Sequence, residues 1–173
     1  MILNKKIKIG LDKINAIKHS EKDAFYVFKD ICLDLNLDQF ALAIFSGKKN
    51  ITESFDIYDT YSKEWIQRYK EKQYYLYDPV FSSLQKVAIP FEWNRESFDN
   101  LLPIQKTLMN ESYDFGIKSG VTVPLLPHPM FHGFVTALNK PALNYDVLYT
   151  LSLVGNVCVS KIMSLQKKRE LLA

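Results

Sequence analysis

The stretch TYSKEWIQRYKEKQYYLYDPV, residues 60–80, holds five of the ten tyrosines in the chain and one of its two tryptophans. Ser62 is a preferred N-cap residue type, and Trp65 and Tyr69 are four residues apart, which places both side chains on one face of a helix. Asp78-Pro79 is a second helix start, with Asp as the cap and Pro at the first helical position. The stretch therefore predicts two consecutive helices with an aromatic face.

On the N-terminal side of this stretch, the pattern predicts one helix and two strands. Ser20 begins a capping box before apolar residues that recur at helical spacing over 24–35, and Asn36 marks the end of that helix. Residues 39–46 alternate large apolar side chains with small ones, as a strand does. A turn of Gly, Lys, Lys and Asn leads into a second strand over 51–58, so the two strands form a predicted hairpin.

On the C-terminal side, the pattern predicts two further helices and two further strands. Residues 88–94 contain Pro90 and show no clear period, so we predict a loop or an irregular strand there. Gly116 suits the position just after a helix, where a left-handed backbone is common. We predict that the short helix that starts at Pro79 ends near residue 86. Further along the chain, we predict a helix over 104–115, strands over 120–126 and 132–139, and a final helix capped by Asn144.

The order of these elements predicts the fold class. Strands within each pair are linked closely enough for antiparallel pairing, and the helices between the pairs can pack on either face of a sheet. A chain of 173 residues is long enough for one domain with its own hydrophobic core. We therefore predict an α+β fold over residues 1–173, with a central antiparallel sheet and helices on both faces.

The composition excludes several classes of protein. With 47% hydrophobic and 24% charged residues, the chain is not a disordered one. A net charge of +3 is too weak to indicate nucleic-acid binding. No apolar run reaches the roughly 18 residues of a membrane span, and the N-terminus lacks the apolar segment of a secretory signal. Cys32 and Cys158 fall in apolar helical patterns, so we expect buried thiols in a reducing cytoplasm.

The sequence patterns of the common catalytic sites are missing from the chain. It has no nucleophile elbow, zinc-protease helix, phosphate-binding loop or dinucleotide-binding fingerprint. His128 and His132 are four residues apart, which on a helix would suit a metal pair. They flank Pro129 in a predicted loop, so we interpret them as surface residues. We expect no enzyme activity, no cofactor and no metal site.

The aromatic segment points to a different chemistry, the binding of a small molecule. Trp65 offers an indole N–H, Tyr61 and Tyr69 offer hydroxyls, and Asp78 adds a single carboxylate. Neutral donors suit ligand carbonyls, and an ionised carboxylate, which can only accept, suits a ligand amide. An apolar lining with a few convergent polar groups is typical of small-molecule pockets. The alternative is that the stripe is ordinary core and that Asp78 only caps a helix.

The combined spacing of several motifs is similar to that of a known family. The motifs are Tyr61, Trp65 and Tyr69 at four-residue intervals, Asp78-Pro79-Val80, Pro90-Phe91-Glu92-Trp93, and DFGIKSGVTVPL over residues 114–125. In this combination the chain resembles the autoinducer-binding domain of LuxR-type quorum-sensing regulators, from about residue 11 to residue 165. The resemblance implies an α-β-α sandwich around a five-stranded antiparallel sheet, although the patterns above locate only four strands.

The resemblance also implies a ligand, an N-acyl-homoserine lactone held between the sheet and one helical layer. By position, Trp65 would donate its indole N–H to the lactone carbonyl. Asp78 would accept from the amide N–H of the ligand, and Tyr61 would reach the acyl carbonyl through its hydroxyl. These three residues would carry the polar recognition of the ligand.

Three further residues complete the implied site. Trp93 would pack beside the lactone ring, Tyr69 along the acyl chain, and Thr136 would bring a hydroxyl near the ligand carbonyl. The glycine-rich turn of the family is replaced here by LPHPMF, residues 126–131. We expect this departure to change loop shape or dimer contacts and to leave the lactone site intact.

The resemblance ends where the family usually continues into a helix-turn-helix DNA-binding domain, since this sequence stops at Ala173. We expect a cytoplasmic sensor of acyl-homoserine lactones that forms a dimer and by itself binds neither nucleic acid nor a membrane. One alternative is a stand-alone interaction protein that heterodimerises with full-length regulators. Another is an enzyme that acts on acyl lactones, although the sequence shows no nucleophile–base pair and no metal cluster.

Overall fold

The computed structural model describes residues 5–46, 55–84, 87, 89–125, 131–138 and 145–171, with the backbone alone at 45, 46, 55 and 131–138. Two short 3₁₀ turns, Tyr74–Leu76 and Arg95–Ser97, accompany the regular elements. In chain order, those elements are α1 (Lys5–Ala16), α2 (Glu21–Asp34), β1 (Phe40–Ser46), β2 (Phe55–Asp59), α3 (Lys63–Glu71), α4 (Pro79–Leu84), β3 (Phe91–Asn94), α5 (Pro103–Asp114), β4 (Ser119–Pro124), β5 (Phe131–Leu138) and α6 (Tyr145–Glu170).

The helix starts of α2, α3 and α4 lie at the capping residues predicted from the sequence. At α2, the Ser20 hydroxyl accepts the backbone N–H of Asp23 at 3.1 Å. At α3, the Ser62 hydroxyl accepts the backbone N–H of Trp65, also at 3.1 Å. Asp78 caps α4 with one carboxylate oxygen. Each cap satisfies an N–H group that has no partner within its own helix, which fixes where the helix begins.

Left-handed residues follow two helices at the predicted positions. Asn36, with φ of 60°, comes after α2, and Gly116, with φ of 78°, comes after α5. A left-handed residue turns the chain away from the helix axis and lets the last carbonyls find partners. Asn144, the predicted cap of α6, lies outside the described residues.

The strands pair in the order β2-β1-β5-β4-β3, and every neighbouring pair is antiparallel. The mixed helix-and-sheet class predicted from the sequence is therefore confirmed. Two elements depart from the prediction. Helix α1 was not predicted, and residues 91–94 form a regular strand where the pattern left a loop or an irregular strand. The predicted turn over 47–50 lies outside the described residues.

Alternation along β1 separates the two sides of the sheet. Phe40, Leu42 and Ile44 belong to one hydrophobic cluster, which they share with α2, α6 and β4. Ala41 and Ala43, the residues between them, line a cavity on the other side. Successive side chains on a strand point to opposite faces, so FALAI places its large residues against one layer and its small residues toward the other.

The layer of α1, α2 and α6 forms the larger core. Phe28 packs edge-on against Phe40, with ring centroids 5.7 Å apart. Cys32 and Cys158 are fully buried free thiols, as predicted. Burial raises the pKa of the Cys158 thiol to about 12. Both sulfurs thus act as small apolar groups in this core.

Polar contacts anchor the C-terminal half of helix α6. Lys161 Nζ donates to the backbone carbonyl of Asn15 at 2.7 Å, at the end of α1. Arg169 pairs with Glu21 at 3.0 Å, and Glu21 also accepts the Tyr58 hydroxyl at 3.0 Å. By length and composition alone, α6 could cross a membrane. Here one side of it is packed in the core described above.

We predict that Leu42→Ala lowers the free energy of unfolding by about 2–5 kcal/mol, because Leu42 is fully buried between the sheet and the α2–α6 layer. Leu33→Ala makes the same chemical change on an exposed face of α2, where Leu33 is 45% exposed. It should alter stability by no more than about 0.5 kcal/mol. Chemical unfolding of both variants measures the difference, and equal losses would contradict this assignment of the core.

Candidate functional site

A cavity of about 100 Å³ lies between the sheet and the layer of α3, α4 and α5. The second hydrophobic cluster of the protein surrounds it, with Trp65, Trp93, Leu108 and Ile117 among its buried members. The residues that line the cavity are Ala41, Ala43, Ile57, Tyr61, Trp65, Ile66, Tyr69, Asp78, Val80, Phe81, Trp93, Leu108, Met109, Ser112 and Ile117.

The alanines of β1 explain why there is space beside the sheet. Ala43 is 1% exposed and pairs with Ile57 of β2, so the floor of the cavity is built from short side chains at the centre and a longer one at the edge. Phe81 of α4 packs against Ala43 from above. A leucine or phenylalanine at position 41 or 43 would occupy part of this volume.

Aromatic rings form one wall of the cavity. The Trp65 ring lies edge-on to Tyr69, with centroids 5.8 Å apart, and 5.3 Å from Phe115. Tyr74, which is completely buried, stands behind both Trp65 and Tyr69. The aromatic stripe of α3 is thus part of a core and part of a cavity wall, so the two interpretations of the sequence describe the same residues.

Asp78 uses both of its carboxylate oxygens within the protein. Oδ1 accepts the backbone N–H of Val80 at 2.8 Å and that of Phe81 at 3.4 Å, which caps α4. Oδ2 accepts the Tyr69 hydroxyl at 2.8 Å. A carboxylate offers about four acceptor positions, so these three bonds leave about one, on Oδ2. Asp78 is therefore a helix cap and retains an acceptor beside the cavity.

Burial controls the protonation of these groups. It raises the pKa of Asp78, an effect that the hydrogen bonds from Tyr69, Val80 and Phe81 oppose. It also raises the pKa of Tyr69 and of Tyr61, and the nearby Asp78 charge adds to both shifts. The two phenols thus keep their protons at neutral pH and remain donors.

Two other polar groups of the wall are occupied by partners inside the protein. The Trp93 indole N–H donates to Thr122 Oγ1 at 3.1 Å, and both residues are buried. The Ser112 hydroxyl lies within hydrogen-bond distance of two backbone carbonyls, of Met109 at 2.9 Å and of Ile117 at 3.0 Å. Neither Trp93 nor Ser112 has an uncommitted donor hydrogen to offer to a ligand.

Two donors of the wall have no partner among the residues that the structure describes. They are the Trp65 indole N–H and the Tyr61 hydroxyl. Both residues line the cavity, and Trp65 is only 5% exposed. Together with the remaining acceptor position of Asp78, they give the cavity two donors and one acceptor.

Most of the residues predicted from the sequence lie in this one cavity: Tyr61, Trp65, Tyr69, Asp78 and Trp93. The side chain of Thr136 is outside the described part of the structure, and its backbone pairs with Ala41 on one side and Thr122 on the other. His128 is also outside the described residues, and His132 lies in β5. Among the described residues, no group of three or more His, Cys, Asp or Glu side chains could hold a metal ion.

The sequence analysis missed four residues that shape the site. Ala41 and Ala43 were recognised as the small members of an alternating strand, but the space they leave was not inferred. Ser112 gave no signal, since it is one polar residue in an amphipathic helix. Thr122 stood in the quoted motif without a role, because its contact with Trp93 depends on the register of β3 and β4.

The amino-acid sequence matches the autoinducer binding domain family over residues 20–144. It is 24% identical over 107 residues to the HTH-type quorum-sensing regulator RhlR of Pseudomonas aeruginosa, which covers 62% of this chain and 43% of RhlR. The chain thus spans less than half the length of that relative.

Two solved structures share the fold. Escherichia coli SdiA is similar with a TM-score of 0.76 and 18% identity, over 92% of this chain and 67% of SdiA. CepR2 from Burkholderia cenocepacia, described as an N-acylhomoserine lactone dependent LuxR family factor, has a TM-score of 0.68 and 16% identity, over 95% of each chain. SdiA has also been solved in complex with octanoyl-rac-glycerol.

We predict that the wild-type protein loses stability relative to Asp78→Asn as the pH rises from about 4 toward 7. A carboxyl whose pKa is raised in the folded state binds its proton more tightly there, so folding becomes less favourable once that proton is lost. Asparagine caps a helix about as well as aspartate, so the cap should be retained.

Chemical unfolding of both proteins at several pH values measures this difference. All other titrating groups are common to the two proteins and cancel in the comparison. A difference in stability that stays constant, or that grows in favour of the wild type with rising pH, would show that burial does not raise the pKa of Asp78.

Proposed function

The chain belongs to the autoinducer-binding domain family, and on that basis we propose that it is the sensing part of a LuxR-type quorum-sensing regulator. Its ligand in this proposal is an N-acyl-homoserine lactone, bound in the cavity between the sheet and α3, α4 and α5. The family is one of ligand-binding regulator domains.

One observation carries the proposal: the hydrogen-bonding groups at the cavity that find no partner among the described residues. They are the Trp65 indole N–H, the Tyr61 hydroxyl and the remaining acceptor position of Asp78. A buried polar group without a partner costs free energy comparable to a lost hydrogen bond. A ligand that completes this set must present two acceptors and one donor, with the donor directed at the carboxylate.

An N-acyl-homoserine lactone presents that set. Its amide N–H is its donor, which suits Asp78, and its ring carbonyl and acyl carbonyl are acceptors, which suit Trp65 and Tyr61. The bond to Asp78 is the strong one, because a hydrogen bond to an ionised group contributes about 1.5–3 kcal/mol. The Tyr69 hydroxyl also donates to Oδ2 and so helps to hold the Asp78 carboxylate in place.

The apolar part of the lining suits an acyl chain. Its members come from the sheet and from all three helices of the layer, and none of them carries a hydrogen-bonding side chain: Ala41, Ala43, Ile57, Ile66, Val80, Phe81, Leu108, Met109 and Ile117. An alkyl chain placed there is removed from water, which is favourable by about 0.8 kcal/mol per buried methylene. We place Trp93 beside the lactone ring and Thr136 near the ligand carbonyl, as the family resemblance implies.

Within this proposal the chain acts in the cytoplasm and is not an enzyme. It pairs with a second copy or with a full-length regulator, and through that assembly ligand binding reaches transcription. The sensing step itself requires only the residues described above.

We predict that at least one lactone in a panel from short to long acyl chains raises the melting temperature of the purified chain. A ligand that binds only the folded state stabilises it by about 2.7 kcal/mol at a hundredfold excess over its Kd. Octanoyl-glycerol, which has hydroxyl donors but no amide, is measured in parallel. If no lactone stabilises the protein, the proposal fails; if only the glycerol ester does, the site belongs to a different class of acyl ligand.

A pair of matched variants locates the binding. Trp65→Phe removes a donor that has no partner in the described part of the structure, so affinity for the lactone should fall roughly ten- to a hundredfold with little change in ligand-free stability. Trp93→Phe removes a donor that is bonded to Thr122, so it should lower ligand-free stability instead. The reverse pattern would return Trp65 to a purely structural role.

A further inference from the structure

The two tryptophans of the chain face the same cavity with opposite hydrogen-bond states. Trp65 has no partner for its N–H among the described residues, whereas Trp93 donates to Thr122 Oγ1 at 3.1 Å. An indole has one donor and no strong acceptor, so the bond to Thr122 uses up the polar capacity of Trp93. Trp93 therefore offers only the surface of its ring to the cavity. The hydrogen bond from its N–H restricts the orientation of that ring.

The backbone around Trp93 restrains that orientation weakly. Strand β3 is four residues long and is the last strand in the order, where it pairs with β4 alone among the described strands. Trp93 pairs with Gly120, which has no side chain to pack beside the indole, and Thr122 pairs with Phe91 two residues away. The Trp93–Thr122 bond thus runs diagonally across the strand pair, within reach of a long aromatic side chain.

Both partners are buried, so the bond is strong enough to hold the ring. Trp93 is 5% exposed and Thr122 is 0% exposed. An unsatisfied indole N–H at such a buried site would be costly. The ring therefore stays where the threonine oxygen holds it.

We propose that Thr122 is a positioning residue that sets the selectivity of the cavity for the ligand ring, by fixing the orientation of Trp93. Trp65 and Trp93 belong to one buried cluster and both line the cavity, so we place a ligand ring whose carbonyl accepts from Trp65 beside Trp93. When the Trp93 indole is held in one orientation, the space beside it for the ligand ring has a fixed size. This inference rests on the proposed function for the identity of the ligand, but not for the Trp93–Thr122 contact.

The first arm of the test is an NMR measurement on the ligand-free protein. The indole N–H resonance of Trp93 is assigned with Trp65→Phe, which leaves a single tryptophan. In Thr122→Val, which keeps the shape but removes the oxygen, that resonance should move upfield and its hydrogen exchange should accelerate. In Thr122→Ser, which keeps a hydroxyl, both should stay close to the wild-type values.

The second arm compares two ligands that differ only in ring size, a five-membered and a six-membered lactone with the same acyl chain. A fitted pocket discriminates one methylene by at least about tenfold, so the wild type and Thr122→Ser should prefer the five-membered ring by that factor. In Thr122→Val the preference should fall to about threefold or less, because the Trp93 ring can move aside. Thr150→Val is the control: it removes a buried hydroxyl that bonds within α6, so it should leave the preference unchanged.

The outcomes separate the two proposals. If the Trp93 resonance is the same in Thr122→Val as in the wild type, Thr122 does not hold the ring and the inference is overturned. If the resonance moves but the ring preference does not, Thr122 holds the ring without setting selectivity, and the inference is again overturned. If neither lactone binds to any variant, the proposed function fails, and with it the selectivity role, while NMR still decides the contact.

Discussion

A carboxylate in the wall of an apolar cavity must have its lone pairs satisfied, and the second layer of this protein is organised around that requirement at Asp78. One oxygen caps α4 and so fixes where Val80 and Phe81 meet the cavity. The other accepts the Tyr69 hydroxyl and so ties α4 to α3. Removing an ion from water costs several kcal/mol unless such bonds replace the lost hydration. The acceptor position left over is available to a ligand N–H.

The two faces of the sheet differ in how they are packed. On one face, large residues of β1 pack against α2 and α6 in the larger hydrophobic core. On the other face, Ala41 and Ala43 leave space under an aromatic layer. Because the larger core is on the far side of the sheet, the cavity side can keep the donors of Trp65 and Tyr61, for which the described residues offer no partner and which would otherwise be a defect.

Local signals predicted most of this fold, and long-range contacts decided the rest. The caps Ser20, Ser62 and Asp78 were readable because a cap is defined within three residues. Helix α1 was missed because a glycine lies at its centre, and it is stabilised by contacts with α2 and α6 rather than by its own propensity. Strand β3 was left open because its regularity comes from pairing with β4. Likewise the sequence places Trp65 and Trp93 in one site, but only the structure shows which indole is already bonded.

The central claim, that Asp78 reads the amide N–H of an acylated lactone, is tested most directly on the ligand. Isothermal titration compares the lactone that stabilises the chain most with its ester analogue, in which an oxygen replaces that N–H and the shape is nearly unchanged. Loss of a hydrogen bond to an ionised group, worth about 1.5–3 kcal/mol, predicts that the ester binds roughly ten- to a hundredfold more weakly. Equal affinity for the amide and the ester would contradict the account, because the acceptor left at Asp78 would then have no part in recognition.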